Sequence, residues 1–412
     1  MPLRYPRRTV FFNRLLEWLV FFLFWPWLRI LQRYNEPLEK WIVLVEPFGM
    51  GDALSLSVML DLLRKHLADY KICLWLKQEN TDLYADDDRV ARVETAPFPW
   101  SRLSKHKGGN WNDWLAVWVS AKRIRALRPA LGFDTRSEIR NQILLALAGC
   151  RRRIGYLNYL NTNVNMRGLL LTQVIDKPLS QEGKTALTDN GELPAARAML
   201  HRYDLNYQLV ARFLNVTPSP LVFPTFGRKL AADSDQGDKE NTQRKHSILL
   251  HPGARWEFNR WPQELWAELI VRLRLLAGVS VELIGAPADD KTLREINDCV
   301  GASINYRTTP LPRLKHAIAK ASLVICMDSG PMHMADTMSI PVLALFGPGD
   351  VELWHPRGLH DRWLHVRYPC NPCLQKKCLY PTRPCICAIS LEDVMRTVCQ
   401  MLGSGAVSRN SN

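Results

Sequence analysis

The sequence predicts an α/β protein of two domains, because short apolar runs alternate with amphipathic helices on both sides of a polar gap. In each half, an apolar run ends in a turn of small residues and continues into a helix, at residues 41–67 and 323–348. This alternation is typical of βαβ units and of parallel sheets. A chain of 412 residues is long enough to form two such cores.

Residues 1–36 differ from the rest of the chain, and we predict that they form an interfacial helix at a membrane surface. Residues 1–34 contain six arginines and one acid, with the uncharged run 18–28 between the arginines. A helix that spans a bilayer needs about 20 apolar residues, and the run is shorter. No small-residue cleavage site follows it, as a signal peptide requires. Aromatic and arginine side chains favour the interface; a true membrane span and packing on the protein's own core are the alternatives.

The first domain, predicted for residues 37–228, opens with a strand at 41–45, a glycine-containing turn and a helix. Gly49 and Gly51 allow a sharp turn and the close approach of a ligand. Asp52 follows at the start of the helix, where it either faces a ligand or caps the helix. A dinucleotide fingerprint requires a third glycine, and Leu54 stands there. An NAD-dependent oxidoreductase is therefore disfavoured.

Positive charge dominates the chain, and it is concentrated in the stretch 122–153. This stretch contains nine lysines and arginines against Asp134 and Glu138, and the whole chain has a net charge of +14. Such charge favours anionic partners, although a solvated basic face is the alternative for the cluster. No helix-turn-helix, zinc-finger or RNP-like pattern appears, so we expect no nucleic-acid partner.

The polar composition of residues 229–246 predicts a linker. We predict a second α/β domain at residues 247–403 and a disordered tail at 404–412. Open α/β sheets bind ligands outside the carboxyl ends of their strands. We expect three loops to lie at that edge, namely 251–260, 285–290 and 328–333.

The turn after the apolar run 323–327 has the features of an anion site. Asp328, Ser329 and Gly330 end the run, a proline stands where a helix begins, and His333 follows in its first turn. A helix N-terminus offers backbone N–H groups and a positive dipole end, to which a hydroxyl and an imidazole add donors. A βαβ unit with a capped helix and no ligand is the alternative.

Cysteines are unevenly placed, with five of the ten between residues 370 and 387. This distribution argues against a disulfide-rich secreted fold. Four of them, Cys370, Cys373, Cys378 and Cys385, supply enough thiolates for a structural zinc ion. Disulfides and unpaired thiols are the alternatives.

Four ordered motifs resemble those of the bacterial lipopolysaccharide heptosyltransferases, glycosyltransferase family nine. They are GMGDALSLS at 49–57, RSEIRNQILLALAGCRRRIGY at 136–156, HPGARWEFNRWP at 251–262, and MDSGPMHMAD at 327–336 with PVLALFGP at 341–348. The resemblance covers roughly residues 41–400. It implies the GT-B architecture of two Rossmann-like domains facing a cleft, with the acceptor bound by the first domain and the donor by the second.

The resemblance also implies residue roles. Asp52 matches the proposed general base. The residues that match donor-binding positions are Asp328, Ser329, Gly330 and His333 at the diphosphate, and Asp289 at the ribose. The family usually has a lysine just before its Trp-Pro pair, and this chain has Asn259 and Arg260 there. Arg260 or Arg255 must therefore supply the positive charge, or donor binding differs.

The expected function is an inverting glycosyltransferase of lipopolysaccharide biosynthesis. It moves a heptose or similar sugar from a nucleotide-diphosphate donor, such as ADP-heptose, to a lipopolysaccharide core or another glycolipid. It requires no cofactor, and it acts peripherally at the cytoplasmic face of the bacterial inner membrane. A non-catalytic nucleotide- or glycan-binding scaffold on the same fold is the alternative.

Overall fold

The computed structural model describes residues 40–101, 110–156, 170–176, 178, 200–218, 224, 226, 246–301, 304–373 and 378–407. The chain divides into two compact units, Met1–Val222 and Phe223–Asn412. The predicted interfacial helix at 1–36 lies outside the described residues, as do nearly all of the predicted linker and the last part of the tail. Within the parts of the chain that are described, no helix is long and apolar enough to cross a membrane.

Unit 1 is built on one parallel sheet, which confirms the α/β prediction. Its six strands stand in the order β3-β2-β1-β4-β5-β6. They are β1 Trp41–Glu46, β2 Lys71–Lys77, β3 Arg92–Ala96, β4 Leu131–Asp134, β5 Arg152–Tyr156 and β6 Gln173–Ile175. All six residues of β1 are buried, as expected of a central strand covered on both faces.

Four of the described helices of unit 1 lie between strands of this sheet, and the fifth follows β6. They are α1 Met50–Leu54, α2 Ser57–His66, α3 Trp111–Ala126, α4 Ile139–Leu147 and α5 Arg202–Phe213. The single helix expected after the first turn is split into α1 and α2. At the break, the Ser55 hydroxyl donates to the Asp52 carbonyl at 2.6 Å, and the Asn206 amide donates to Ser55 Oγ at 2.8 Å. A residue from α5, distant in sequence, thus stabilises the break.

Unit 2 repeats the same plan, with six parallel strands in the order β12-β11-β10-β7-β8-β9. They are β7 His246–His251, β8 Val279–Gly285, β9 Tyr306–Thr308, β10 Leu323–Met327, β11 Val342–Phe346 and β12 Arg362–His365. Its described helices are α6 Gln263–Arg274, α7 Asp290–Val300, α8 Leu311–Lys320, α9 Gly330–Thr337, α10 Val351–Trp354 and α11 Leu391–Val407. Strand β7 begins at the last residue of the predicted linker, and α11 continues into the predicted tail.

The Trp-Pro pair at 261–262 belongs to the core of unit 2. Trp261 meets Trp266 edge-to-face, with ring centroids 5.3 Å apart. Its indole N–H donates to the Ile389 carbonyl at 3.1 Å. This bond satisfies the polar end of a buried ring and ties the start of α6 to the chain before α11.

A pair of buried carboxyl groups closes the loop after α10. The Asp336 carboxylate accepts from the backbone N–H groups of Arg357 at 3.0 Å and Gly358 at 3.1 Å. Asp361 accepts from the Val342 N–H at 3.0 Å and the Gly358 N–H at 2.7 Å. Burial, and next the charge of Asp336, raise the pKa of Asp361 to about 8. Between about pH 4 and pH 8, the Asp361 carboxyl is therefore protonated in the folded state and ionised in the unfolded state.

We predict that Asp336→Asn stabilises the protein at pH 8 by at least about 1 kcal/mol, with a smaller gain at pH 5. Because the pKa of Asp361 is raised in the folded state, the free energy of unfolding falls as the pH rises from about 4 to 8. Removing the charge of Asp336 lowers that pKa and makes the fall smaller. Urea denaturation at both pH values measures the effect. Asp298→Asn, at an exposed aspartate of α7, is the control; parallel pH profiles for wild type and Asp336→Asn would contradict the prediction.

Candidate functional site

Asp52 lies in the first turn of α1, at the carboxyl edge of the unit 1 sheet. Gly49 occupies the N-cap position and makes no side-chain cap, so Asp52 is not the N-cap residue. Its carboxylate instead forms an ion pair with the guanidinium of Arg136, which follows β4. The Asp52 side chain is 18% exposed, which leaves it accessible to a small group such as a sugar hydroxyl.

Phe48 and Glu46 complete the surroundings of this ion pair. The Arg136 guanidinium stacks over the Phe48 ring at 4.3 Å from its centroid, which fixes the plane of the cation. Glu46 ends β1 with its side chain fully buried, 3.3 Å from the Arg202 guanidinium and 3.0 Å from the Thr135 hydroxyl. Glu46 Oε1 has no hydrogen-bond partner among the described residues.

Two buried carboxyl groups at this edge have raised pKa values. Burial raises the pKa of Glu46 to about 7; the nearby Arg136 and Arg202 oppose this shift, and the Asp52 carboxylate adds to it. Burial also raises the pKa of Asp134 to about 6, against hydrogen bonds from the Arg136 N–H and the Gln142 amide. Strongly shifted carboxyl groups beside a specific charge partner are typical of functional sites.

The two glycines of this turn do not need the conformations that only glycine adopts. Gly49 is extended, with φ −73° and ψ 178°, and Gly51 is buried inside α1. Among the described glycines, positive φ values occur at Gly149, Gly278 and Gly301. A positive φ is therefore not the reason for glycine at either position, and the close approach of a ligand at Gly49 and Gly51 stays a prediction. The chain passes from β1 to α1 within three residues.

The predicted anion turn of unit 2 forms at the carboxyl end of β10. Ser329 is the extended N-cap residue of α9, and Gly330 is the first residue of that helix. The Ser329 hydroxyl donates to the Met327 carbonyl at 3.2 Å and retains its lone pairs. Pro331 lacks an N–H, and the Met332 N–H donates to the Ser329 carbonyl at 3.1 Å. Side chains and the helix dipole must therefore contribute more to the attraction of an anion at this turn than the backbone N–H groups of the first helical turn do.

Asp328 and His333 lie beside this N-terminus in buried surroundings. Burial raises the pKa of the Asp328 carboxyl to about 7, and the Asp350 carboxylate adds to the shift. A Cβ atom on Gly349 would collide with Asp328 Oδ2, so the loop after β11 packs directly on this carboxyl. His333 is 5% exposed, and its ring meets Trp354 edge-to-face at 5.3 Å.

The loop after β7 contacts the anion turn through Asn259. Its amide donates to the Asp328 carbonyl at 3.0 Å. Arg260 is exposed, and its Nε donates to the Ala254 carbonyl at 3.1 Å, which holds the guanidinium against the loop. Arg255 is exposed on the same loop. Two exposed arginines therefore belong to the loop that contacts the turn, and the position before Arg260 carries a neutral amide.

Asp289 is half-buried after β8, where it also contacts the loop after β7. Its Oδ2 accepts from the Ala286 N–H at 2.9 Å. A Cβ atom on Gly253 would collide with this carboxylate, so the two loops touch. His251, at the end of β7, is 4% exposed, and burial lowers its pKa against the pull of Asp289. The imidazole of His251 is therefore neutral at pH 7.

Three buried polar atoms at this edge lack hydrogen-bond partners among the described residues. They are His251 Nδ1, Asn259 Oδ1 and Thr309 Oγ1. Buried polar groups are nearly always paired, so a cluster of unpaired ones at the ligand edge of a sheet favours a polar ligand. All three belong to loops at the carboxyl ends of β7 and β9.

The zinc expectation for Cys370, Cys373, Cys378 and Cys385 is not supported. These cysteines are free thiols, and no group of three or more His, Cys, Asp or Glu side chains in the described parts of the chain is arranged to hold a metal. Two of the sulfurs accept local hydrogen bonds instead. Cys385 Sγ lies 3.6 Å from the Asn371 amide, and Cys378 Sγ lies 3.4 Å from the Tyr380 N–H.

Sequence reasoning missed several members of these clusters. Arg136 appeared in the sequence only within a basic stretch and as the first residue of the motif at 136–156, and Glu46 only as the residue after the predicted strand 41–45. Trp354 and Asp350 lie beyond the motif that they support. A signal was present for Glu46 alone, because an ionisable residue that ends an apolar strand is seldom placed there without a partner.

A sequence profile of glycosyltransferase family 9 (heptosyltransferase) matches residues 170–383. The chain is 31% identical over 187 residues to lipopolysaccharide heptosyltransferase 1 of Pseudomonas aeruginosa, covering 44% of this chain and 49% of that one. It is 27% identical over 162 residues to lipooligosaccharide heptosyltransferase 2 of Campylobacter jejuni, covering 37% and 51%. The matched part thus spans about half the length of these curated relatives.

Solved structures show the same fold over nearly the whole chain. The ADP-heptose lipopolysaccharide heptosyltransferase II of Escherichia coli superposes with a TM-score of 0.62 at 17% identity, covering 89% of this chain and 99% of that one. The E. coli heptosyltransferase WaaC, solved with ADP, gives 0.66 at 15% identity, covering 88% and 99%. These likenesses show the α/β fold of GT-B type.

We predict that Gly349→Ala destabilises the protein by about 1–3 kcal/mol, as overpacking does. The new methyl group forces the Asp328 carboxyl out of its buried position. Chemical denaturation measures the change. Gly403→Ala is the matched control, because nothing lies within 4 Å of its added Cβ. Equal stability of the two variants would show that the Asp328 carboxyl moves freely.

Proposed function

The chain belongs to glycosyltransferase family 9, the heptosyltransferase family, and we propose that it transfers a heptose or similar sugar with inversion. The donor is a nucleotide-diphosphate sugar such as ADP-heptose, and the acceptor is a lipopolysaccharide core or another glycolipid. One observation carries the proposal: each unit has a cluster of buried, charge-shifted groups at the carboxyl edge of its sheet. In unit 1 the shifted groups are Glu46 and Asp134, which lie near Asp52, and in unit 2 the shifted group is Asp328.

Asp52 is the proposed general base. The acceptor oxygen forms its new bond to the anomeric carbon while its proton passes to the Asp52 carboxylate. The bond between that carbon and the diphosphate oxygen breaks, and the diphosphate leaves with the electron pair. A positioned base contributes about 10²–10⁴-fold to such a step. The ion pair with Arg136, stacked on Phe48, supports this role because it orients the carboxylate.

The turn at the start of α9 is the proposed diphosphate site. The leaving diphosphate gains negative charge, so preorganised positive groups lower the barrier. Ser329, Gly330 and His333 offer a hydroxyl, a backbone N–H and an imidazole at the positive end of the helix dipole. Arg260 and Arg255 bring cationic charge from the neighbouring loop. In this scheme side chains and a helix terminus stabilise the charge, so the step requires no cofactor.

Asp289 and the unpaired atoms near it are the proposed contacts of the nucleoside. A ribose diol donates hydrogen bonds to a carboxylate, and Asp289 lies after β8, one strand away from the anion turn's neighbour β7. Unpaired His251 Nδ1 and Thr309 Oγ1 flank it along the same edge. Burying these two unpaired atoms costs free energy, and hydrogen bonds from a polar ligand offset that cost.

A glycolipid acceptor requires access to a membrane, and we propose peripheral attachment at the cytoplasmic face of the bacterial inner membrane. The net charge of +14 supports attraction to acidic headgroups. Residues 1–36 supply aromatic and arginine side chains for the same surface, on the sequence pattern described above.

We predict that Asp52→Asn lowers turnover at least about a hundredfold while ADP affinity stays within about twofold, as loss of a general base should. ADP release from ADP-heptose in the presence of heptose-free lipopolysaccharide measures turnover. Asp69→Asn removes an exposed carboxylate that pairs with Lys40 and serves as the control. Wild-type turnover in Asp52→Asn would reduce Asp52 to a structural partner of Arg136. If wild type itself gives no product with any nucleotide heptose, the scaffold alternative stands.

We predict that Ser329→Ala with His333→Ala weakens ADP binding about tenfold or more, because two donors to the diphosphate are lost. Titration calorimetry with ADP measures the affinity, and circular dichroism checks that α9 survives the loss of the buried ring. Ser322→Ala with His316→Ala, in the same unit but away from the turn, is the matched control. Unchanged ADP affinity in the first variant would mean that the anion site lies elsewhere.

A further inference from the structure

Helix α3 carries a row of large apolar side chains on its outward face. Trp111 is 80% exposed, and Trp114, Leu115 and Trp118 are 45–46% exposed. Positions three and four residues apart share one side of a helix, so these four form a continuous stripe. The opposite side of α3 is buried in unit 1 and includes Val117, Ala121 and Ile124. The stripe is therefore separate from the face that holds the helix to its sheet.

The stripe continues into basic residues toward the C-terminus of α3. Lys122 and Arg125 fall on the same side of the helix, seven residues after Leu115 and Trp118. The Lys122 ammonium lies 3.5 Å from the centroid of the Trp118 ring. We call these six residues, Trp111, Trp114, Leu115, Trp118, Lys122 and Arg125, the Trp stripe; none of them is acidic.

The surroundings of the Trp stripe add positive charge and rigidity. Exposed Arg151 and Arg152 lie just beyond the end of α3, because their N–H groups donate to the Pro129 and Ala130 carbonyls at 3.0 and 2.9 Å. At the other end, Trp114 packs on Trp100 with ring centroids 5.5 Å apart. The Trp114 ring is thus held in place before binding, and ordering it on binding costs little free energy.

We propose that the Trp stripe docks unit 1 on the surface of an anionic lipid bilayer. Indole rings partition to the boundary between headgroups and acyl chains, and neighbouring Lys and Arg side chains contact the headgroup phosphates. A soluble monomer seldom leaves contiguous apolar side chains of this size in water. A second copy of the chain is a poorer occupant, because the stripe has no acid to pair with Lys122 or Arg125 on the opposing copy.

Because α3 packs beside the sheet of unit 1, docking through the Trp stripe also determines where the edge with Asp52 lies relative to the bilayer. As the connection between β3 and β4, α3 begins at the carboxyl edge that also holds Asp52. A helix of 16 residues is about 24 Å long and lies flat when its whole side binds a surface. The docked orientation thus keeps the edge with Asp52 beside the bilayer. The inference extends the proposed glycolipid acceptor, but its test does not involve turnover.

The test is cosedimentation of the full-length protein with vesicles. Vesicles of phosphatidylcholine mixed with phosphatidylglycerol are compared with vesicles of phosphatidylcholine alone. Trp111→Ser with Trp118→Ser should lower the partition coefficient on mixed vesicles about tenfold or more. Lys122→Gln should lower it about fivefold on mixed vesicles and leave it unchanged on phosphatidylcholine alone. Leu275→Ser with Leu359→Ser, at two leucines of unit 2 that are each 81% exposed, is the matched control and should bind as wild type.

Two results would overturn the proposal. The first is wild-type vesicle binding by the Trp111→Ser, Trp118→Ser variant with its circular dichroism unchanged, since any lipid contact would then lie outside the stripe. The second is a wild type that elutes as a dimer in gel filtration without lipid while the same variant elutes as a monomer. That result would make the stripe an interface between copies. Loss of ADP-heptose turnover with intact vesicle binding would count against the proposed function alone.

Discussion

Carboxyl groups placed at the ends of buried strands are the constraint on which both candidate sites depend. Burial disfavours the charged form of Glu46 and Asp134 in unit 1 and of Asp328 in unit 2, and it raises all three pKa values. Groups of this kind persist only where neighbours offset the cost or where a ligand does. Unit 1 offsets it with Arg136 and Arg202. At Asp328 the charge of a further carboxylate, Asp350, increases the cost.

The Arg136 guanidinium interacts with two carboxyl groups, and this bears on the proposed role of Asp52 as a base. It binds Asp52 directly and also favours the ionised form of Glu46. The contact with Asp52 uses Oδ1, which leaves Oδ2 for an acceptor hydroxyl. When one carboxylate oxygen is held by an ion pair, the position of the second oxygen is also fixed. Proton transfer from a bound sugar to that second oxygen requires such a fixed position. The stack on Phe48 restrains the cation in turn, so three residues together define one direction of attack.

The sequence predicted the elements that depend on local patterns and missed those that depend on distant contacts. Strands β1 and β10 and the start of α9 follow from apolar runs and from a proline after small residues, whereas short strands with few apolar residues, such as β3 and β9, were not predicted. The break between α1 and α2 was missed because it requires Asn206, which is 151 residues from Ser55. The density of cysteines suggested zinc, but density does not specify the directions of the thiols, and no metal-ligand group forms among the described side chains.

The same distinction applies to residues that the sequence identifies correctly but whose neighbours in the fold it does not show. Asp52 was recognised from its motif, yet its partner Arg136 lies 84 residues away. The Trp stripe reads as an ordinary helix in the sequence, because indoles are common in cores. Only the burial of Val117 and Ile124 on the other side shows that the tryptophans face outward. Exposure is a property of packing, and an amphipathic period fixes which residues share a face but not which face is covered.

Asn259 gives the donor site of this chain its individual character. It stands where the family resemblance expects a lysine, and its amide ties the loop after β7 to the Asp328 carbonyl at 3.0 Å. A neutral amide cannot offset the charge of a diphosphate, so the cation must come from another position. Arg260 follows directly, and its bond to the Ala254 carbonyl uses one of five guanidinium donors. The remaining donors match two phosphate oxygens at once, which an ammonium group cannot do. In the proposed donor site, Arg260 is therefore the candidate for the phosphate contact, as a planar fork in place of the point charge of a lysine.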